Sequence, residues 1–146
     1  MNIKHRELIK VAKNARQHAF CPYSDYDVGA AVLAGSGRIY AGVNVESPTL
    51  IANICAERNA IFSMITHGER KILAVATACR DSEPCGTCRQ LILEFADGDI
   101  PIYSVHSDPS RGPERVVRTS IYRLMPRAHT GKKIGFVTEQ KFRKRG

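Results

Sequence analysis

An α/β domain with a mixed sheet covered by helices is the fold class this sequence predicts, and three observations predict it. Apolar residues recur at helical spacing near the N-terminus, two strand-like runs flank a glycine turn, and a strand–helix–strand succession follows. At 146 residues the chain fits one domain with a real core. No internal repeat or linker interrupts it, so residues 1–130 read as the domain and 131–146 as a flexible basic tail.

The elements follow in chain order. Leu8, Ile9, Val11, Ala12 and Ala15 give residues 4–19 a helical apolar face that stops at "FCPYS". "VGAAVLA" (28–34) and "RIYAGVNV" (38–45) are strands, and "GSG" between them supplies the positive φ angles of a hairpin turn. After the polar stretch "ESPTL", Asn53 is expected to cap a helix running to about His67, with Gly68 as its C′ residue. "KILAVATAC" (71–79) is a buried strand, "DSEP" a turn, and "CGTCRQLILEFA" (85–96) a helix opening just after a proline. "IPIYSVH" (100–106) is the next strand, which makes 71–106 a βαβ unit with a parallel pair and a right-handed crossover. The segment around "VVRTSIYRLM" is too short and mixed to assign.

Composition narrows the function classes. No apolar run approaches the roughly 20 residues of a membrane span, and the charged N-terminus lacks the apolar core of a signal peptide. A cytoplasmic location is therefore expected. Five cysteines there point to metal ligands or core thiols before disulfides. The net charge of +8 suggests a polyanion partner until it is mapped: residues 127–146 hold seven Lys/Arg against Glu139 alone. The body is nearly neutral and carries no basic, aromatic-studded face, which argues against nucleic-acid binding.

The chemistry concentrates in "NICAERNAIF" (53–62) and "EPCGTCRQ" (83–90). Cys85 and Cys88, spaced C-x-x-C at a helix N-terminus, can aim both sulfurs at one centre, where the helix dipole favours thiolates. Cys55 begins a second helix. Three thiolates at about 2.3 Å would hold Zn²⁺ and leave a fourth position for water, whose pKa falls from about 15.7 towards about 7. Three thiolates also overcompensate the metal's charge, so nearby positive charge is needed, and Arg58 is the candidate. Glu57 would then be the proton shuttle. Residues two apart on a regular helix diverge, so this works only if Cys55 and Glu57 lie at the helix end. Three other readings stand beside it: a redox C-x-x-C, a structural zinc site closed by Cys79, Cys21 or a histidine, and unconnected buried thiols. Cys21 and Cys79 themselves read as ordinary packed thiols.

C-A-E followed 28 to 30 residues later by P-C-x-x-C is a zinc-deaminase pattern, with Cys in place of the first His. With "CPYSDYDVGAAVL", "GRIYAGVNVE", "ICAERNAI" and "PCGTCRQLILEF" in order and register, the sequence resembles the small homotetrameric cytidine deaminases from about residue 5 to 129. The resemblance implies a three-layer α/β/α fold with a mixed sheet, and one Zn²⁺ per chain on Cys55, Cys85 and Cys88. It implies Glu57 as general acid/base in hydrolysis of the 4-amino group of cytidine or 2′-deoxycytidine. Asn44 and Glu46 would bind the ribose, with Tyr26 and Ala56 also contacting substrate.

The chain departs from that family where it reads Ser47, Pro48, Thr49 and Leu50, at the base-stacking Tyr26, and at His129 of "LMPRAH". Leu50 and His129 are candidate pocket-wall positions, and their loss of aromatic area is worth about 1 kcal/mol each. A modified cytosine nucleoside such as blasticidin S is therefore the alternative substrate, although Asn44 and Arg58 follow the cytidine enzymes. A structural zinc module or nucleic-acid binder is the alternative of another class.

Overall fold

The computed structural model describes residues 2–130, so the basic tail expected at 131–146 lies outside the described residues. The first helix, α1 (Ile3–Arg16), is capped by Asn2, whose side chain accepts from the His5 amide. Strands β1 (Gly29–Ala34) and β2 (Ile39–Val43) form the expected hairpin, with Gly37 at φ 86° in its turn. Next come α2 (Ala56–Thr66), β3 (Ile72–Cys79), α3 (Gly86–Phe95) and β4 (Pro101–His106). The unassigned segment resolves into β5 (Arg115–Ser120) and a single-turn α4 (Ile121–Leu124). None of the six β5 positions is buried, so the strand lacks the period-2 apolar pattern that would have betrayed it.

The sheet order is β2-β1-β3-β4-β5, with β3 and β4 parallel and every other pair antiparallel. Both faces are covered. Ala31, Leu33, Ala74, Ala76, Ala78, Tyr103 and Val105 pack with Leu8 and Ala12 of α1. Val32, Ala34, Val75 and Ile102 face the other way, onto Ile61 and Met64 of α2 and Ile92 of α3. The alternation of β1 thus feeds two separate cores, the three-layer α/β/α arrangement. Small alanines on the α1 face let that helix lie close to the sheet. At Gly29 an added Cβ would stand 2.2 Å from the Ala12 carbonyl oxygen.

Two expectations need correcting. Asn53 does not cap α2; its Oδ1 accepts from the Ser47 amide at 2.7 Å, and Cys55 is the N-cap residue. The first helix stops at Arg16 rather than residue 19, and this last residue grips Asp27 through Nε (2.9 Å) and Nη2 (3.0 Å). Partial burial alone would raise the Asp27 pKa, but the Arg16 hydrogen bonds and charge outweigh it and hold the carboxyl below its usual value. A carboxyl depressed in the folded state stabilises above its unfolded pKa of about 3.9 and loses that contribution as pH falls through the folded value. Asp27→Asn should therefore cost about 1 kcal/mol at neutral pH, discounted for a half-exposed carboxylate, and should flatten the loss of stability below about pH 4. Chemical denaturation of both proteins across that range measures it; an unchanged acid limb would refute it.

Candidate metal centre and active-site cavity

Three cysteines meet where the N-termini of α2 and α3 converge. Cys55 and Cys85 are the N-cap residues of the two helices, both in extended conformation, and neither thiol caps its own helix. Both sulfurs are thus free to turn toward the gap between the helices. Cys88, one turn into α3 and wholly buried, supplies the third. The three Sγ atoms all lie within 4.8 Å of one another, with Cys55 and Cys85 at 3.8 Å. A tetrahedral ion with bonds of about 2.3 Å needs sulfurs about 3.8 Å apart, so the cluster fits zinc and is too wide for a disulfide. Cys21 and Cys79 lie outside it.

The electrostatics suit a cation. A hydrogen bond from Cys88 draws the Cys55 thiol down to about 5, with Arg58 assisting against the opposing effect of burial. Cys88 is pushed up in return, by that same hydrogen bond, by burial and by Glu57. Arg58 brings Nη2 to 3.6 Å from Cys55 Sγ and to 3.4 Å from the Asn53 carbonyl, which places a fixed positive charge beside the thiolates.

Glu57 is 5% exposed, and burial pushes its carboxyl pKa up. The reservation about residues two apart on a helix disappears here, because Cys55 stands outside the helix with extended backbone while Glu57 is inside its first turn. Both line one cavity of about 340 Å³, together with Tyr26, Asn44, Glu46, Ala56 and Cys85. That volume is near the lower end of the roughly 300–1,000 Å³ typical of small-molecule sites.

The wall residues are held by their own networks. Asn44 accepts from the Val28 amide and donates to the Tyr26 carbonyl, both at 2.8 Å, so it fixes the 26–28 segment against the end of β2. Glu46 accepts from the amides of Tyr23 (3.0 Å) and Ser24 (3.1 Å) and from the Ser24 hydroxyl; these bonds, the hydroxyl foremost, hold its carboxyl below the usual range. The Tyr26 hydroxyl bonds to Asp81 (3.0 Å) and Ser82 (2.8 Å), and burial pushes its pKa up to about 12, so the phenol stays neutral. Leu50 and His129 do not line this cavity in the single chain. Leu50 is 63% exposed at φ 58°, and His129 is exposed with its carbonyl accepting from Gln90 Nε2 at 2.8 Å.

Thr77, Cys79, Ser82 and Glu83 also line the cavity and were not singled out from the sequence. Cys79 is therefore a wall residue, tied to the Ser82 amide at 3.3 Å, rather than a plain core thiol. The available signal was topological: residues at the carboxyl end of a parallel strand, just before a metal-binding helix, face the crevice there.

Gly42 of β2 sets the position of the α2 N-terminus. A Cβ there would lie 2.3 Å from both the Ala56 carbonyl oxygen and the Ala60 amide nitrogen, contacts that only backbone movement can relieve. Gly42→Ala is expected to cost about 1–3 kcal/mol and to weaken zinc retention by displacing Cys55 and Glu57. A melting curve with zinc analysis checks this; wild-type values for both would refute the positioning role.

Residues 2–104 match the family model described as the cytidine and deoxycytidylate deaminase zinc-binding region. The chain is 37% identical over 138 residues to a cytidine deaminase of Sporosarcina psychrophila, spanning 92% of this chain and 97% of that one. It is 38% identical over 122 residues to a probable cytidine deaminase of Dictyostelium discoideum, covering 81% and 78% of the two chains. Among solved structures, the cytidine deaminase of Burkholderia pseudomallei superposes with a TM-score of 0.74 at 34% identity, covering 88% of this chain and all of that one.

Proposed function

The chain belongs to the family of cytidine and deoxycytidylate deaminases, and we propose that it hydrolyses the 4-amino group of cytidine or 2′-deoxycytidine, giving the uracil nucleoside and ammonia. It is a zinc-dependent hydrolytic deaminase. The observation that carries the reading is a buried carboxylate, Glu57, sharing one nucleoside-sized cavity with three converging thiols.

Cys55, Cys85 and Cys88 would hold the zinc, which when bound supplies Lewis acidity toward water. Glu57 is the general acid/base: its carboxylate takes a proton from the water that adds to C4, delivers it to ring N3, and then carries the proton of the new C4 hydroxyl to the amino group, which leaves as ammonia as the C4–N bond breaks. Burial suits this task, since a desolvated carboxylate interacts strongly with a proton in flight and admits no competing solvent. Arg58 offsets the negative charge of the thiolates. Asn44 retains one amide hydrogen and Glu46 its remaining lone pairs for the ribose hydroxyls, while their internal bonds keep both groups in place before substrate arrives. Tyr26 and Ala56 form the surface that the base meets.

The departures at Leu50 and His129 bear on assembly. Phe20, Leu50 and Ile51 are exposed apolar side chains, which supports burial between copies in a homotetramer where Leu50 and His129 approach a neighbour's cavity. Light scattering should then give four chain masses; a monomer with full activity would overturn that assembly. Five unpaired cysteines, three of them at the metal centre, fit a reducing cytoplasm, and the reaction fits pyrimidine nucleoside salvage.

The direct test is ultraviolet-monitored deamination of cytidine by zinc-loaded protein. Turnover of cytidine is expected. No turnover with about one zinc per chain would overturn the default substrate and move attention to modified cytosine nucleosides.

A further inference from the structure

A second, smaller cavity lies behind the active-site wall, between the carboxyl ends of β3 and β4 and the start of β5. It measures about 20 Å³ and is lined by Arg80, Asp81, His106, Asp108, Arg111 and Arg115. That is room for one water-sized group. His106 is 8% exposed, and both of its ring nitrogens are buried without a hydrogen-bond partner. Such a group is costly to leave unsatisfied, and it faces a cavity.

The charges around it are unequally spent. Asp81 gives one oxygen to the Tyr26 hydroxyl (3.0 Å) and the other to Arg111 (2.9 Å). Asp108 gives one to Ser110, through its amide (2.9 Å) and hydroxyl (2.7 Å), and the other to Arg111 at 3.4 Å. Both carboxylates are thus engaged, and Arg111 serves the two of them. Among the described residues the one ion pair of Arg80 is a 3.6 Å contact with Asp25, whose side chain is fully exposed, and Arg115 makes none. Three guanidinium groups face two carboxylates, with an N–H of His106 still unused. The imidazole brings at least one N–H donor, and the lining itself carries three cationic side chains against two anionic ones.

We propose that this cavity is a binding site for a small monovalent anion of the chloride class, held by His106, Arg80 and Arg115. A halide ion matches the size of the cavity, accepts from several N–H groups at once and neutralises the excess cation, whereas a water leaves the charge uncompensated. The site shares a wall with the active-site cavity: Arg80 lies 5.4 Å above the Tyr26 ring, and Asp81 holds the Tyr26 hydroxyl.

Chlorine NMR of the zinc-loaded protein tests it. Wild-type protein should broaden the chloride line, and exposed Arg115→Gln should reduce that broadening at least about fivefold while retaining zinc. His106→Leu, which removes both nitrogens, should do the same. Replacing gluconate with chloride at constant ionic strength should raise the wild-type Tm by about 2 °C or more and leave Arg115→Gln unmoved. Equal broadening by wild type and Arg115→Gln would mean chloride meets only the zinc or the general surface, and would overturn the proposal. A wild-type Tm indifferent to chloride would overturn it as well, leaving a buried water as the occupant.

Discussion

Glu57→Gln is expected to lose at least about a hundredfold in kcat on cytidine, the smallest loss typical of a general acid/base, while retaining about one zinc per chain. The amide keeps the volume and planar shape of the carboxyl but cannot accept the proton. The first turn of α2, packed on Gly42, should therefore stay where it is. Stability should hold or rise, because the wild-type carboxyl is buried and burial opposes its ionisation. A neutral amide carries less of that cost. Zinc analysis, a melting curve and steady-state kinetics on one preparation separate the outcomes. Turnover within tenfold of wild type would remove Glu57 from the proton path. Lost zinc with lost turnover would make it a structural support of the centre.

The second large effect is at Cys88. Cys88→Ala should abolish stoichiometric zinc in the presence of a mild chelator and reduce turnover by at least about a thousandfold, since two sulfurs do not hold the ion against competition. The thiol is wholly buried between α3 and the α2 N-terminus. Its removal also leaves a void in a wholly buried site, and Tm should fall by several degrees. Cys79→Ala is the control: its sulfur lines the same cavity but bonds to the 79–82 turn, so zinc should stay. Zinc bound tightly and stoichiometrically to Cys88→Ala would refute the three-sulfur centre.

The convergence of Cys55, Cys85, Cys88, Glu57 and Arg58 was legible because it depends on local events. Each cysteine sits at or just inside a helix start, a boundary written in proline, glycine and the onset of an apolar period. The C-x-x-C spacing brings Cys85 and Cys88 to one side without help from the rest of the chain. The strand–helix–strand order then leaves few topologies for α2 and α3 to adopt. The Asn53 cap was misjudged for the same local reason. A good capping residue two positions early competed with Cys55, and the pairing of Val45 with Ile54 carried Asn53 into the turn instead.

What the sequence by itself determined is the order of elements as far as β4, a mixed sheet covered by helices and a metal-binding pattern of cysteines, while the full donor set was what the family resemblance implied. The element order and the C-x-x-C pair follow from periodicity and spacing within short windows. Only the tertiary structure decided that β5 closes the sheet at its far edge, that Thr77, Cys79, Ser82 and Glu83 complete the cavity, and that Asn44 and Glu46 are tied to the 23–28 segment. It also decided that His106 faces a cationic cavity with both ring nitrogens unpaired. These arrangements join residues from 9 positions apart, as His106 with Arg115, to 61 apart, as Ser24 with Cys85. Side-chain type within a short window says nothing about which distant backbone will stand opposite, because that is settled by how the packed layers register against one another.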